Sequence, residues 1–498
     1  MKKIIDLSNE DAKAHFLKGS SYFGDDLPPY LSFEPILNDV ATALDGKNFK
    51  EFKSSCPSYL PKVNYSFLTN KDGKFAWRPL ELIHPAIYVS LVNVICQADN
   101  WKNIQERLSQ EGNAVECCSI PVLSIDNQEK DVASKIKSWW IKVEQQALSY
   151  SLEYSHVLHT DVVDCYGSLY THSISWAMHG FGESKSRKGD PSLLGEKIDY
   201  HIKAGRYGQT NGISQGSVLM DLIAEIVLSF VDEEINKKLG EQTDFRILRY
   251  RDDYRIFTNS DERAEEILKV ISQELLLVGM KLGVSKTILS RNVVEGSIKQ
   301  DKLAAIDLQD LGDTNAKTIQ KQLLRLHSFG QRFPNSGALR RLVSEFYDKL
   351  NKEKEKPEDL EVQVAIATDI GFVSPSTFPK IAGILSHLIN LAPETERLYL
   401  CNKVREKMRR VPHNGYLEMW LQRLLHPLGV SFDSEELICK IVNDEPVDLW
   451  ENSWIANRDL KKALCTSKIV DTELLKNLSP VMDPEETRLF TEKALYTS

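Results

Sequence analysis

The segment Phe245-Arg-Ile-Leu-Arg-Tyr-Arg-Asp-Asp-Tyr-Arg-Ile-Phe257 sets two adjacent carboxylates, Asp252 and Asp253, between two apolar strand-like runs. Side chains alternate faces along a strand, so neighbouring acids converge on one point only at a tight turn. Two carboxylates about 4 Å apart repel by roughly 4 kcal/mol at an effective dielectric near 20. A fold tolerates that repulsion most readily when a divalent cation sits between them. Taken alone, an Asp-Asp pair also fits a solvated hairpin tip.

A third acid lies upstream. The β-prone run Ser155-His-Val-Leu-His-Thr-Asp-Val-Val-Asp-Cys-Tyr166 delivers Asp161 near its end. Asp161 to Tyr166, followed much later by Tyr250-Arg-Asp-Asp253, resembles the palm motifs of reverse transcriptases. Between them, Gly212-Ile-Ser-Gln-Gly216 is similar to the Gln-Gly loop that contacts template and nucleotide in that family. After them comes Gly279-Met-Lys-Leu-Gly-Val-Ser-Lys-Thr287, similar to the family's Gly/Lys-Thr element; before them, Lys71-Asp-Gly-Lys-Phe-Ala-Trp-Arg78 resembles its basic fingers segment. Five elements in family order, over roughly Lys71 to Thr287, carry far more weight than any one of them.

The chemistry implied by the resemblance explains these residue types. Two-metal nucleotidyl transfer uses one cation at the attacking oxygen and one at the leaving pyrophosphate. Magnesium demands oxygen ligands, mostly waters, phosphates and one or two carboxylates per ion. Asp161 and Asp252 are expected to bridge two Mg²⁺ ions, with Asp253 in support. Lys71 and Arg78 are expected to neutralise the triphosphate, Arg as a bidentate fork and Lys as a point charge, with Lys286 contributing. Tyr166 takes the position of an aromatic gate that leaves no room for a 2′ hydroxyl; the alternative is a core aromatic beside a strand. Gln215 would lie beside the nascent base pair. Lys74 and Asp164 read first as solvated side chains, and Met220 and Asp221 depart from the small residue and proline common after the Gln-Gly.

Composition sets bounds. At 498 residues the chain can bury a full core in two or three domains. Its 42 % hydrophobic and 27 % charged residues are those of a globular protein. No run approaches about 18 apolar residues, and the first residues lack a signal-peptide core, so no membrane partner is expected. Eight cysteines without metal-ligand spacing or a disulfide framework suit a reducing cytoplasm. The net charge of −9 argues against binding nucleic acid over the whole surface but allows a basic channel. Candidate cations for it are those above, the loop Lys185-Ser-Arg-Lys188 and the stripe Lys403-Val-Arg-Glu-Lys-Met-Arg-Arg410, each equally readable as a solvated face.

The expected fold is α+β: right-hand polymerase fingers and palm, followed by an all-α, helical-repeat-like domain in place of the thumb. The expected boundaries are an N-terminal arm at 1–60, containing the packed, extended segment Ser20 to Tyr30, fingers at 61–150, palm at 151–304 and the helical domain at 305–498. Helical periodicity covers Pro85 to Ile104, Val132 to Leu152 and Ala264 to Val278, and a long helix follows the Gln-Gly loop. Beyond 305 come seven short helical segments, from Thr318 to Phe329 through Ala456 to Leu464.

The arm Ser21-Tyr-Phe-Gly-Asp-Asp-Leu-Pro-Pro-Tyr30, the block Trp77-Arg-Pro-Leu-Glu-Leu-Ile-His-Pro85, the run Ala224-Glu-Ile-Val-Leu228 and Asn414-Gly-Tyr-Leu-Glu-Met-Trp-Leu-Gln-Arg423 resemble bacterial abortive-infection and defence-associated reverse transcriptases. That resemblance implies an antiphage enzyme adding dNTPs, primed on a protein tyrosine, with a non-coding RNA template or none. It also implies a DNA product and a homo-oligomer, trimeric or hexameric. Candidate priming residues are Tyr496, near the end of the chain, and Tyr22 and Tyr30 in the arm. Two other classes stay open: a catalytically silent nucleic-acid-binding scaffold, and an RNA polymerase or other nucleotidyltransferase on a similar palm.

Overall fold

Strand alternation builds the central sheet. In His156–Asp161, Arg246–Tyr250 and Asp253–Thr258, successive residues face opposite sides. Leu158, Ile247 and Ile256 enter the main core, while Val157, Leu248 and Phe257 enter a smaller cluster with Cys118, Val143, Ala147, Tyr154 and Val293. Both faces of the sheet are therefore covered at these positions. The computed structural model describes every residue except Met1, Asn48, Lys50, Glu111, Asn113, 125–130, 241–243, 311–317, 353–358, Ser431 and 488–498.

The sheet has five strands in the order Val115–Cys117, Arg246–Tyr250, Asp253–Thr258, His156–Asp161, Ile288–Ser290. Only the first pair is parallel. The long helix Val218–Leu239 and the helix Asp261–Leu277 pack on each other beside the sheet. Their starts are set by Ser217 and Ser260, whose hydroxyls accept from the amides of Met220 and Arg263. On the small-cluster side, Asp131–Trp139 runs through a π-helical segment, Trp140–Gln145, into Gln146–Ser149.

The Lys71 segment is the tip of an antiparallel hairpin, Tyr65–Asn70 with Trp77–Leu82. Asn70 Oδ1 accepts from the amides of Asp72 and Gly73 at 3.2 and 2.7 Å, and Asp72 Oδ1 accepts from Lys74 and Ala76 at 2.9 and 3.0 Å. Gly73 has φ of 72°, and a Cβ there would stand 2.4 Å from the carbonyl oxygen of Phe372. The hairpin tip thus lies hard against a C-terminal helix.

The expected helices form, with differences that have causes. Pro85 to Ile104 is two helices, Pro85–Ile95 and Ala98–Leu108, because Cys96 and Gln97 leave helical geometry. The arm is not simply extended: it holds the helices Asn9–Phe16 and Glu34–Ala43. An unexpected helix, Leu360–Val373, packs against Ile319–Arg332, Phe378–Asn390 and Glu394–Met408. The helical region also returns to the arm, where Leu31 bridges Val470 and Lys53 bridges Ile455, and to the Lys71 hairpin, where the Trp450 indole donates to the Leu82 carbonyl at 3.2 Å. One buried cluster consequently runs from Ile4 to Met482. No helix among the described residues is long and apolar enough to cross a membrane.

Candidate active site

Register places Asp161 directly opposite Asp253, and Tyr250 opposite Asp253 on the other side, so Arg251 and Asp252 form a two-residue turn. Opposed residues in such a ladder have Cα atoms about 4.5–5.5 Å apart. The Val162 amide donates to the Asp252 carbonyl at 3.0 Å, tying the turn to the end of the neighbouring strand. Arg251 takes φ of 55°, a left-handed conformation that costs a non-glycine residue energy and recurs at functional sites. The three acids thereby share one end of the sheet.

Burial outweighs the positive charge around two of them. Burial raises the Asp252 pKa, and the neighbouring Asp253 and Asp161 add to the rise. Burial also raises that of Asp253, against the pull of Lys299 and Arg255. Asp161 is 6 % exposed; its Oδ2 accepts from the Lys286 ammonium, whereas its buried Oδ1 has no hydrogen-bond partner. A Cβ on Gly283 would come 2.6 Å from that orphaned oxygen, so glycine keeps the space beside it clear. Among the described residues no three His, Cys, Asp or Glu side chains close tightly enough to hold a metal ion by themselves. The donor set is nonetheless the hard, anionic kind that suits a divalent cation completed by phosphate and water.

Cations face these acids. The Lys71 pKa is lowered by burial and then by Arg78 and Lys286, while Asp252 and Asp25 oppose the shift. Lys71, Arg78, Lys286 and Asp252 therefore share one electrostatic environment. The hydrogen bond to Asp161 raises the Lys286 pKa, helped by the charges of Asp161, Asp252 and Asp253. Gln215 joins the Lys71 hairpin: its carbonyl accepts from the Glu81 amide at 3.0 Å. With its side-chain oxygen turned toward Arg78, it also accepts from Nη2 and Nε at 3.1 and 3.2 Å. Gly216, at φ 131°, accepts from the Gly24 amide at 2.8 Å. Lys74 is exposed.

Tyr166 lies in the short helix Cys165–Ser168, which begins after Asp164 in a left-handed conformation, φ 46°. Its carbonyl accepts from the Ile213 amide at 2.8 Å, joining it to the Gln215 loop. Its hydroxyl donates to Asp221 Oδ1 at 2.6 Å. The Asp164 side chain is exposed, as one of its two readings requires.

Residues 89–310 match the family described as reverse transcriptase (RNA-dependent DNA polymerase). The chain carries a reverse transcriptase domain. Its enzyme class is RNA-directed DNA polymerase, and its fold is the α+β reverse transcriptase fold continued by a helical C-terminal region. Among solved structures, apo telomerase from Candida tropicalis is similar at 12 % identity and a TM-score of 0.34, covering 81 % of this chain and 72 % of that one. Telomerase from Candida albicans in complex with a TWJ fragment of telomeric RNA is similar at 13 % identity and a TM-score of 0.31, covering 76 % and 71 %. No curated protein sequence matches the chain.

The matched span of the reverse transcriptase domain contains Asp161, Tyr166, Gln215, Asp252, Asp253 and Lys286; Lys71 and Arg78 lie before it. Other candidates sit elsewhere. Tyr22 is 1 % exposed, donates to the Ile83 carbonyl and packs its ring 4.8 Å from that of Tyr88. Tyr30 is 0 % exposed. In this conformation both side chains are closed off from solvent; Tyr496 lies outside the described residues. Of the accessory cations, Arg187 is engaged by Glu183 and Asp190, and Lys407 by Asp369.

Sequence reasoning missed two charged residues. Arg249 is fully buried beneath the turn, with Nη1 3.0 Å from Glu225, Nη2 2.7 Å from Asp232, and Nη1 donating to the Arg251 carbonyl at 3.2 Å. Asp221 registered only as a departure from the family pattern. An arginine placed after Ile247 and Leu248 inside the strand was the available signal for the first; nothing local announced the partners of the second.

Proposed function

We propose that the chain is a magnesium-dependent reverse transcriptase of the abortive-infection type, adding dNTPs on a protein tyrosine in antiphage defence. The single observation that carries the polymerase part is the Asp161–Asp253 cross-strand pair with Asp252 in the adjoining turn, facing Lys71, Arg78 and Lys286. Two Mg²⁺ ions, when bound, would supply charge neutralisation at the attacking oxygen and the leaving pyrophosphate. The protein's own groups do the rest. Asp161, Asp252 and Asp253 hold the cations; Lys71 and Arg78 grip the triphosphate; Gln215 steadies the Arg78 fork; the Tyr166 ring lies under the sugar and excludes a 2′ hydroxyl. The Lys286 side chain is 70 % exposed, so its ion pair with Asp161 would be worth little and would not bar a cation from that carboxylate.

The buried state of Tyr22 and Tyr30 favours Tyr496 as the priming nucleophile. The defence role, a non-coding RNA template or none, and a three- or six-fold assembly rest on the resemblance of the arm and the C-terminal block. The scaffold alternative is weaker, since a scaffold has no use for buried, mutually repelling acids. The test is incorporation of labelled dNTPs and NTPs by the purified chain and by Asp252→Ala/Asp253→Ala. Loss of dNTP incorporation with an unchanged circular dichroism spectrum is expected. Full incorporation by that variant overturns the assignment, and a preference for NTPs moves the chain to the RNA polymerase reading.

A further inference from the structure

Asp221 receives donors from three separate segments. One oxygen, Oδ1, accepts from the Tyr166 hydroxyl at 2.6 Å; the other, Oδ2, accepts from Arg251 Nη2 at 2.6 Å, and Lys135 Nζ stands 3.7 Å away. Asp221 lies in the first turn of the helix Val218–Leu239, where the free amides and the helix dipole favour a negative charge. Burial pushes the Asp221 pKa up, but Arg251, with Lys135 behind it, outweighs that and lowers it below the ordinary value. Tyr166 stays protonated and donates, its pKa raised first by burial and then by Asp221.

The split between the two oxygens matters. An acid bonded to one partner can turn about its own χ angles and release it. Here Arg251 fixes one oxygen, so the plane of the carboxylate, and with it the hydroxyl of Tyr166, is set by the turn that carries Asp252 and Asp253. The Arg251 amide also donates to Ser119 Oγ at 2.8 Å, so the turn itself does not drift. A ring held only by packing keeps freedom that a hydrogen bond to a charged acceptor removes.

We infer that Asp221 is a positioning residue: it couples the Tyr166 ring to the Asp252–Asp253 turn and thereby sets discrimination between deoxyribose and ribose. This rests on the reading of Tyr166 as the sugar gate. It gives Asp221, which stands where the family pattern has a different residue, a role in substrate choice that its departure alone would not suggest. The same pairing requires an arginine immediately before the two acids, which is what the sequence has at Arg251.

The experiment compares dNTP with NTP incorporation, kcat and KM separately, for the full chain and for Tyr166→Ala, Tyr166→Phe, Asp221→Asn and the Phe/Asn double variant. Tyr166→Ala tests the gate. If it leaves the dNTP:NTP ratio unchanged, the gate reading fails and this inference falls with it. If the gate holds, Tyr166→Phe and Asp221→Asn should each lower the ratio about fivefold, the effect of losing one hydrogen bond's worth of orientation. The double variant should lower it no further than the larger single change, because both remove one interaction. An intact ratio in Tyr166→Phe, or additive losses in the double variant, overturns the inference while leaving the gate standing. Tyr166→Phe keeps both Asp221 ion pairs, so the question is answered even where Asp221→Asn fails to fold.

Discussion

Replacing Arg249 by alanine removes a cation that bridges Glu225 and Asp232 beneath the catalytic turn. The guanidinium is 0 % exposed and meets Glu225 at 3.0 Å and Asp232 at 2.7 Å. It also holds the Arg251 carbonyl at 3.2 Å and the Cys117 sulfur at 3.1 Å. Deleting one member of a buried ion set costs about 3–5 kcal/mol, because the remaining charges keep their desolvation penalty. At 1.4 kcal/mol per tenfold, that is a roughly hundred- to thousandfold or greater rise in local opening. The assay is hydrogen exchange of peptides covering residues 246–258, the two strands of the hairpin. Protection there should fall by that factor, and dNTP incorporation with it. The neutral set Arg249→Met, Glu225→Met, Asp232→Leu should recover most of the protection, since a hydrophobic replacement of a whole buried set is often tolerated. A loss below about fivefold in Arg249→Ala, or no recovery in the neutral set, would refute the view that this cation, rather than packing, secures the turn.

Three further outcomes are expected. Arg78→Ala should raise the KM for dNTPs about tenfold with a smaller change in kcat, because its fork acts on the bound triphosphate; steady-state kinetics decides. His84 and His201 are buried with pKa lowered by desolvation to about 4, against 6.5 unfolded. The unfolded chain alone takes up those protons between pH 6.5 and 4, so stability is full above that window and falls as the pH drops through it, by roughly 3 kcal/mol per histidine at its lower limit. Urea titrations at pH 5 and 7.5 should differ accordingly, and less so in His201→Gln. Gly73→Val should loosen the Lys71 hairpin from the helical region, since its φ of 72° and the Phe372 carbonyl 2.4 Å from any Cβ leave no room; limited proteolysis at the tip should accelerate.

What could be read in advance follows from where each signal resides. Asp252 and Asp253 announced a turn because strand alternation forbids two adjacent acids on one face, and the register does place Arg251 and Asp252 in that turn. Asp161 was legible as the end of a β-prone run, and it does end its strand. The helix Leu360–Val373 carried no clear signal because its outer face is itself partly apolar: Leu360, Val364, Ala367 and Ile370 share the buried face, while Val362 and Ala365 stand exposed on the other, so no polar stripe marks a period. The helices of the arm escaped notice behind the Pro-Pro break, although Phe16, Ile36, Leu37 and Val40 reach the core.

The site itself divides in the same way. Its acids and basic side chains were visible because their chemistry is written in residue type and local spacing. Their supports were not: Tyr166 finds Asp221 55 positions away, Arg251 finds it 30 away, and Arg249 finds Cys117 132 away. Lys286 shows what residue type leaves out. Expected at the triphosphate, it donates to Asp161, whose second oxygen stays unpaired in a buried position. A lysine able to serve carboxylate and phosphate in turn would fit both that contact and the expectation, and Lys286→Ala distinguishes it from a purely phosphate-binding residue. Asp161 would then lose its metal-free counterion, so the variant should bind Mn²⁺ more tightly in the absence of any nucleotide, read by isothermal titration. Unchanged Mn²⁺ affinity would leave Lys286 as a phosphate contact alone.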